Sequence, residues 1–273
     1  MKNRQINIQE LVLLAVMMVS MMSCANNDRD EDYVKVNFTA SLPLEAQTRS
    51  FGNGSSVNML VVGVFDSQKK EIARERFAIH STMVNVEFTL VEQQTYSFVF
   101  WAYNDTQNIY DMSNLTAIKM NDMPQSVTFS QVEAMDAFFA AKKDVIITDN
   151  KSYTIELVRP LAQINVGSTG RSMNAVLAAL ESPDTFYPLT NSVSGKTYFT
   201  WNFNVPTSET FSVDGILYNY LAMGYVFAPA NGMSIESTLD TYDNGQPYRT
   251  FRFPEVKIQA NFKSNIGGGF TAE

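Results

Sequence analysis

The chain has 273 residues, of which 45% are hydrophobic and 18% charged, and its 20 Lys and Arg against 28 Asp and Glu give a net charge of −8. Such a composition belongs to a packed protein of one or two domains and excludes a disordered tail, a coiled coil and a multi-span membrane protein. The acidic balance leaves no basic footprint for nucleic acid, and one Cys with one His argues against a Cys/His metal site, thiol chemistry or a histidine triad.

Lys2 and Arg4 precede an apolar run over residues 11–22, the length of a signal-peptide core and too short to span a bilayer as a helix. Ser23-Cys24 follows, with Met21 three residues before the cysteine. This resembles a lipobox, in which the cysteine becomes the acylated N-terminus and anchors the chain through buried acyl chains such as palmitate. Met stands where Leu is usual, and the alternative is a plain secretory signal with an incidental cysteine. Residues 1–23 are read as a lipoprotein signal peptide and residues 24–32 as an acidic tether, with Asp28, Asp30, Glu31 and Asp32 around Arg29. Like charges keep such a segment extended. It also resembles the acidic stretch that sends Bacteroidetes lipoproteins to the cell surface, so the expected location is the outer membrane, lipid-anchored and facing outward.

From residue 33 on the chain reads as strands. Apolar and polar residues alternate with period two over 34–42, 84–90, 199–205 and 256–262, as in strands with one buried face. Residues 59–65 and 96–103 are apolar on both faces and suit strands covered on both sides. Turn signals separate these runs, among them Asn231-Gly232 and Asp243-Asn244-Gly245. Helical candidates are few, at 131–143 and 173–180. Many short strands with frequent turns predict an all-β fold of β-sandwiches. Arg159-Pro160 lies between two strand-like stretches, and proline removes a ladder donor, so it fits an edge or a crossover between sheets. The boundary is placed there, giving an N-terminal sandwich over 33–158 and a C-terminal sandwich over 159–273.

Residues that could carry chemistry are sparse. His80 sits beside a turn signal with no nucleophile near it in sequence, which fits a solvated loop histidine. Asp240, Asp243 and Asn244 partly resemble a calcium loop but lack the closing acidic residue, so a hairpin turn is favoured. Gly267, Gly268 and Gly269 have no following Lys or Ser and make no phosphate loop. A carboxylate pair of a hydrolase would meet only in space, and no motif favours one. Trp101, Tyr103 and Trp201 suit either core packing or stacking on sugars, and packing is the favoured reading. No catalytic residue, cofactor or metal site is expected.

The stretch 155–166, Ile-Glu-Leu-Val-Arg-Pro-Leu-Ala-Gln-Ile-Asn-Val, resembles the fimbrillin-like (type V pilin-like) lipoproteins of Bacteroidales. There an Arg or Arg-Pro ends one strand and Ala-x-Ile-x-Val opens the second domain. Residues 57–66 are similar to the first core strand of that group, and 256–266 to its C-terminal segment. Some relatives belong to an uncharacterised domain branch. The resemblance implies two transthyretin-like β-sandwiches in a surface fimbria, with no catalytic residues. It also implies an assembly route: a trypsin-like protease cuts after an Arg beyond the first strand, and another subunit's strand fills the groove. Arg49 is then the processing candidate, the alternative being an ordinary loop arginine. Relatives usually continue into another strand, whereas here the chain ends soon after Asn265-Ile266 and three glycines, a poor donor strand. This fits a tip, anchor or accessory subunit better than a stalk, the alternatives being a non-polymerising surface lipoprotein or a truncated chain; the expected partners are the outer membrane, other fimbrial subunits or surface ligands. A glycan-binding surface lipoprotein using exposed aromatics is the second reading.

Overall fold

The first strand, β1 (Tyr33–Ser41), alternates as its sequence does: Val36, Phe38 and Ala40 are buried, while Tyr33 and Lys35 are exposed. In the computed structural model residues 32–43, 54–121, 128–203 and 208–271 are described. The chain divides into two units, Met1–Tyr33 and Val34–Glu273, and the fold that follows is that of the second.

After β1 come β2 (Met59–Phe65), β3 (Glu71–Ala78), β4 (Met83–Val91), β5 (Gln94–Tyr103), the short β6 (Tyr110–Asp111) and β7 (Ile118–Met120), a one-turn helix α1 (Phe129–Glu133), β8 (Phe138–Ile147) and β9 (Lys151–Glu156). They form a three-stranded sheet of order β4-β1-β9 and a four-stranded sheet of order β3-β2-β5-β8. Beyond Arg159-Pro160 lie β10 (Leu161–Ser168), β11 (Asn174–Ser182), β12 (Thr185–Tyr187), β13 (Ser192–Ser194), β14 (Thr197–Phe203), β15 (Thr210–Val213), β16 (Ile216–Phe227), β17 (Met233–Asp243), β18 (Gln246–Ile258) and β19 (Lys263–Gly268). These give sheets of order β15-β16-β10-β19 and β14-β11-β17-β18. A fifth sheet, β13-β12-β7-β6, joins strands from both sides of Arg159-Pro160. The fold is all-β, built as paired sheets.

The two halves share one wiring. In the first, β1 lies second in its sheet and runs parallel to β9, with Val36 opposite Lys151 and Ser41 opposite Glu156. In the second, β10 runs parallel to β19, with Gln163 opposite Lys263 and Val166 opposite Ile266. The other sheets also correspond, β3-β2-β5-β8 with β14-β11-β17-β18.

Two buried clusters explain why 59–65 and 96–103 are apolar throughout. One face of β2 and β5 (Leu60, Val62, Phe98, Phe100) packs with Val36, Phe38, Val86 and Phe88. The other face (Val61, Val99, Trp101) joins a second cluster running through β10, β11, β14 and β16. Trp101 lies 6.0 Å from the Phe186 ring and 6.3 Å from that of Phe227, centroid to centroid. The Asp243-Asn244-Gly245 signal is a tight hairpin, with Asn244 and Gly245 both at positive φ (49° and 77°) and Asp243 opposite Gln246.

Three sequence expectations are corrected. The helix expected at 131–143 is only the α1 turn, capped by Thr128, whose Oγ1 accepts from Gln131 N at 3.3 Å. Phe138 and Phe139 then enter different clusters, and successive side chains reach opposite faces only in a strand. The helix expected at 173–180 is β11, hydrogen-bonded to β14 and β17 on its two sides. Its Ala and Leu favour helix, but two flanking strands outweigh that preference. The alternation expected over 256–262 stops at Ile258; Asn261 turns the chain at φ 65°, and Phe262 is 58% exposed.

Candidate functional site: the first strand and the junction

Cys24 and Arg49 lie outside the described residues. If Arg49 is a processing site, the strand between them is expected at a sheet edge or beside a groove; β1 corrects this, because it is the middle strand, between β4 and β9. Its inner face is anchored by Phe38, whose ring centroid is 4.6 Å from that of Phe98, 5.1 Å from Phe100 and 5.4 Å from Tyr153. Its outer face carries polar contacts, among them Lys35 Nζ to Glu87 Oε1 at 2.8 Å, Thr39 Oγ1 donating to Asn85 Oδ1 at 3.0 Å and Ser41 Oγ donating to Ile155 O at 3.3 Å. At its C-terminal end, Leu42 N donates to Thr82 O at 2.8 Å and Leu157 N to Ser41 O at 2.9 Å, and near its start Lys35 N donates to Asn150 Oδ1 at 2.8 Å. Taking β1 away would leave a slot between two strand edges, floored by Phe98 and Phe100. Burying Val36 and Phe38 contributes about 1.5–3 kcal/mol each, so an empty slot is costly and a replacement strand is favoured.

The Arg159-Pro160 junction holds a polar cluster that sequence reasoning missed. The Arg159 guanidinium grips Asp136 in a bidentate pair (Nε–Oδ1 2.6 Å, Nη2–Oδ2 2.9 Å), with side chains 5% and 1% exposed. Arg159 Nη1 also donates to Asn261 Oδ1 at 3.1 Å, and its Cζ lies 4.8 Å from the Phe138 ring centroid. Nearby, Tyr225 Oη donates to Glu133 Oε1 at 3.1 Å and Tyr110 Oη donates to the Met135 carbonyl. Burial, reinforced by the Asp136 charge, pushes both tyrosines well above their ordinary pKa. Arg159 was visible in the sequence; Asp136, set in a segment read as helix, was not.

The remaining candidates fall as follows. Trp101 and Trp201 are fully buried, so neither offers a face to a sugar, and Trp201 Nε1 donates to Met135 Sδ at 3.3 Å. Tyr103 is buried beside Arg76, His80 is exposed beside a bend, and Asp240 and Asp243 serve the β17–β18 hairpin, Asp240 Oδ1 accepting from Thr250 Oγ1 at 2.5 Å. Among the described residues no group of three His, Cys, Asp or Glu is placed to hold a metal ion. No described helix is long and apolar enough to cross a membrane. A groove of about 820 Å³ between β18 and β19 carries one carboxylate, Glu255, where a hydrolase pair would need two.

The fold is similar to that of a candidate adhesin from Bacteroides thetaiotaomicron, with a TM-score of 0.51 and 11% identity over 80% of this chain and 79% of that one. It is also similar to the fimbrial anchor protein Mfa2 from Porphyromonas gingivalis (TM-score 0.48, 12% identity, 81% and 82% covered). A fimbrial assembly protein from Parabacteroides distasonis is a third neighbour (TM-score 0.47, 16% identity, 88% and 93% covered). No curated protein matches the chain. At the level of sequence the match is to a family of unknown function, DUF6562, whose model spans residues 28–273, and the chain belongs to that family.

Proposed function

We propose that the chain is a structural or adhesive subunit of a surface fimbria, placed at a tip, an anchor or an accessory position, and not an enzyme. In this reading Cys24 is acylated and holds the chain on the outer membrane, facing outward, through the acidic tether 24–32. The halves 33–158 and 159–273 act as two domains. A trypsin-like cut after Arg49 frees β1, and a strand from another subunit takes its slot. The observation that carries the reading is the placement of β1: central in its sheet, buried on one face only, and followed by the segment that contains Arg49. Two further supports are the fold shared with the candidate adhesin and the resemblance of residues 155–166 to fimbrillin-like lipoproteins.

N-terminal analysis of the mature protein on cells, paired with membrane fractionation of Cys24→Ala, tests the reading. Lipid on Cys24 and release of the variant into the soluble fraction are expected, together with a second N-terminus at Ser50 in assembled material. Trypsin on the folded protein should nick after Arg49 and leave β1 bound until a competing strand is added. An unlipidated wild type with unchanged fractionation, or trypsin resistance at Arg49, would overturn it.

A further inference from the structure

Two described turns join successive strands through an Asn-Gly pair, and the fold treats them differently. Asn231-Gly232 lies between β16 and β17, and Asn244-Gly245 between β17 and β18. A third pair, Asn53-Gly54, begins on a residue outside those described. Both described asparagines are exposed, so exposure does not separate them. The glycine that follows does. Gly232 N donates to Pro229 O at 3.1 Å, and a Cβ on Gly232 would stand 3.4 Å from Ile258 O and 3.6 Å from Gln259 Cβ. The same turn is tied to the next one, where Ala260 N donates to Pro229 O at 3.2 Å and Gln259 Nε2 to Ala230 O at 2.9 Å. Its backbone is bonded and crowded.

The other pair is neither. The β17–β18 ladder ends at Asp243 opposite Gln246, so Asn244 and Gly245 are the whole loop. Both take the positive φ of a two-residue type I′ turn, 49° and 77°. Among the described residues nothing lies within 4 Å of a Cβ built on Gly245, and its N–H has no acceptor. Asn244 Nδ2 donates to Asp243 Oδ1 at 3.1 Å, an exposed contact that water can replace. Asp243 also pairs with Arg171, from the β10–β11 connection.

We propose that Asn244 is a site of spontaneous deamidation, and that the fold protects Asn231 from the same reaction. The Gly245 nitrogen gives its proton to solvent and attacks Asn244 Cγ. The N–Cγ bond forms, the Cγ–Nδ2 bond breaks, and Nδ2 leaves as ammonia with a proton from water. Water then opens the cyclic imide at either carbonyl, leaving aspartate or isoaspartate at 244. Glycine suits the step because no side chain blocks its nitrogen and its backbone turns freely. The Gly245 N–H is unbonded, whereas Gly232 must first give up its bond to Pro229 O, and a hydrogen bond of ordinary strength slows such a step by up to about tenfold. The product changes the hairpin tip. A carboxylate replaces the amide that Asp243 Oδ1 accepted from, so two like charges stand side by side. Isoaspartate also lengthens the backbone of a loop whose size fixes the register of its strands. The tip should loosen while the core, which Asn244 does not enter, stays as it is. The reaction is independent of Cys24 and Arg49.

The test is peptide mapping by mass spectrometry of the purified chain, aged at neutral pH in buffer and, in parallel, in enough urea to unfold it. In buffer, residue 244 is expected to convert from amide to acid, as a mixture of aspartate and isoaspartate, about five- to tenfold faster than residue 231. In urea both are plain Asn-Gly pairs and should convert at the same rate. Gly245→Asn, which also tolerates positive φ, should slow the loss at 244 without lowering the melting temperature. Amide exchange in the converted fraction should quicken at 242–247 and stay unchanged in β10. Equal rates at 244 and 231 in the folded protein, faster loss at 231, or an intact amide at 244 while the unfolded sample converts would overturn the proposal. So would a difference in urea as large as in buffer, because sequence and not the fold would then set it. Unchanged exchange at the tip would overturn the loosening.

Discussion

β1 and β10 hold the same place in their halves, each second in its sheet and parallel to the last strand of its half, yet β1 buries one face and β10 buries both. The connections that follow them differ in the same sense. β1 leads to β2 through residues 42–58, which include Arg49. β10 leads to β11 through only residues 169–173, where Arg171 pairs with Asp243. β10 is also tied by side chains along its length: Gln163 Nε2 donates to Met223 Sδ at 2.7 Å, Asn165 Nδ2 to Asn265 Oδ1 at 2.7 Å, and Ser168 Oγ lies 3.0 Å from Thr271 Oγ1. One topology thus carries a strand buried on one face and a strand buried on both. A strand with one buried face can be replaced by any strand of matching alternation. A strand buried on both faces and bonded through its side chains leaves only when the half unfolds.

The largest effect should come from breaking the pin at the head of β10. Arg159→Ala or Asp136→Ala leaves a buried charge without its partner and should destabilise the protein by about 3–5 kcal/mol in urea unfolding. The double variant Arg159→Met/Asp136→Leu should recover most of that loss, because it leaves no orphaned charge. A loss below about 1 kcal/mol for either single variant would mean that the pair is not what fixes β10.

A smaller effect is expected from Val36→Ala, which removes two buried methyl groups from the inner face of β1. The cost should be about 2 kcal/mol including the void left behind. This change should also speed exchange of the nicked β1 peptide for a competing strand, which the Arg159 variants would do only through general loosening. Exchange at the wild-type rate despite lower stability would argue that the inner face of β1 does not control its release.

How much of this was readable in the sequence depends on where the information lies. β1, β2, β4 and β5 were legible because their alternation, or its absence, is written in consecutive residues. β8 and β11 were not, because pairing with β5 in the one and with β14 and β17 in the other outweighs helix-favouring Ala, Leu and Lys. Arg159 stood out beside a proline, but its partner Asp136 is 23 residues earlier, and nothing local marks the pairing. The duplicated wiring is a property of sheet order, which no single stretch of sequence encodes. Two of the three glycines read as a weak donor strand have a packing reason: a Cβ on Gly267 would stand 2.5 Å from the Tyr218 ring and one on Gly268 2.6 Å from the Phe270 ring.

The smallest effect should come from the outer face of β1. The Lys35–Glu87 pair spans 2.8 Å, but its side chains are 60% and 48% exposed. Water and salt screen such a pair, and ordering two long side chains offsets part of the attraction, so Lys35→Ala should cost less than about 1 kcal/mol. The difference from wild type should shrink further as ionic strength rises, because the Debye length falls to about 8 Å at 0.15 M. Melting curves of both proteins at low and high salt measure this directly. The result bears on the comparison of strands: if the outer face contributes almost nothing, an incoming strand needs to match β1 only at Val36, Phe38 and Ala40, and its outward residues are free to vary. A salt-independent loss above about 1.5 kcal/mol would instead make the outer face part of the recognition, and β1 would be as specifically held as β10.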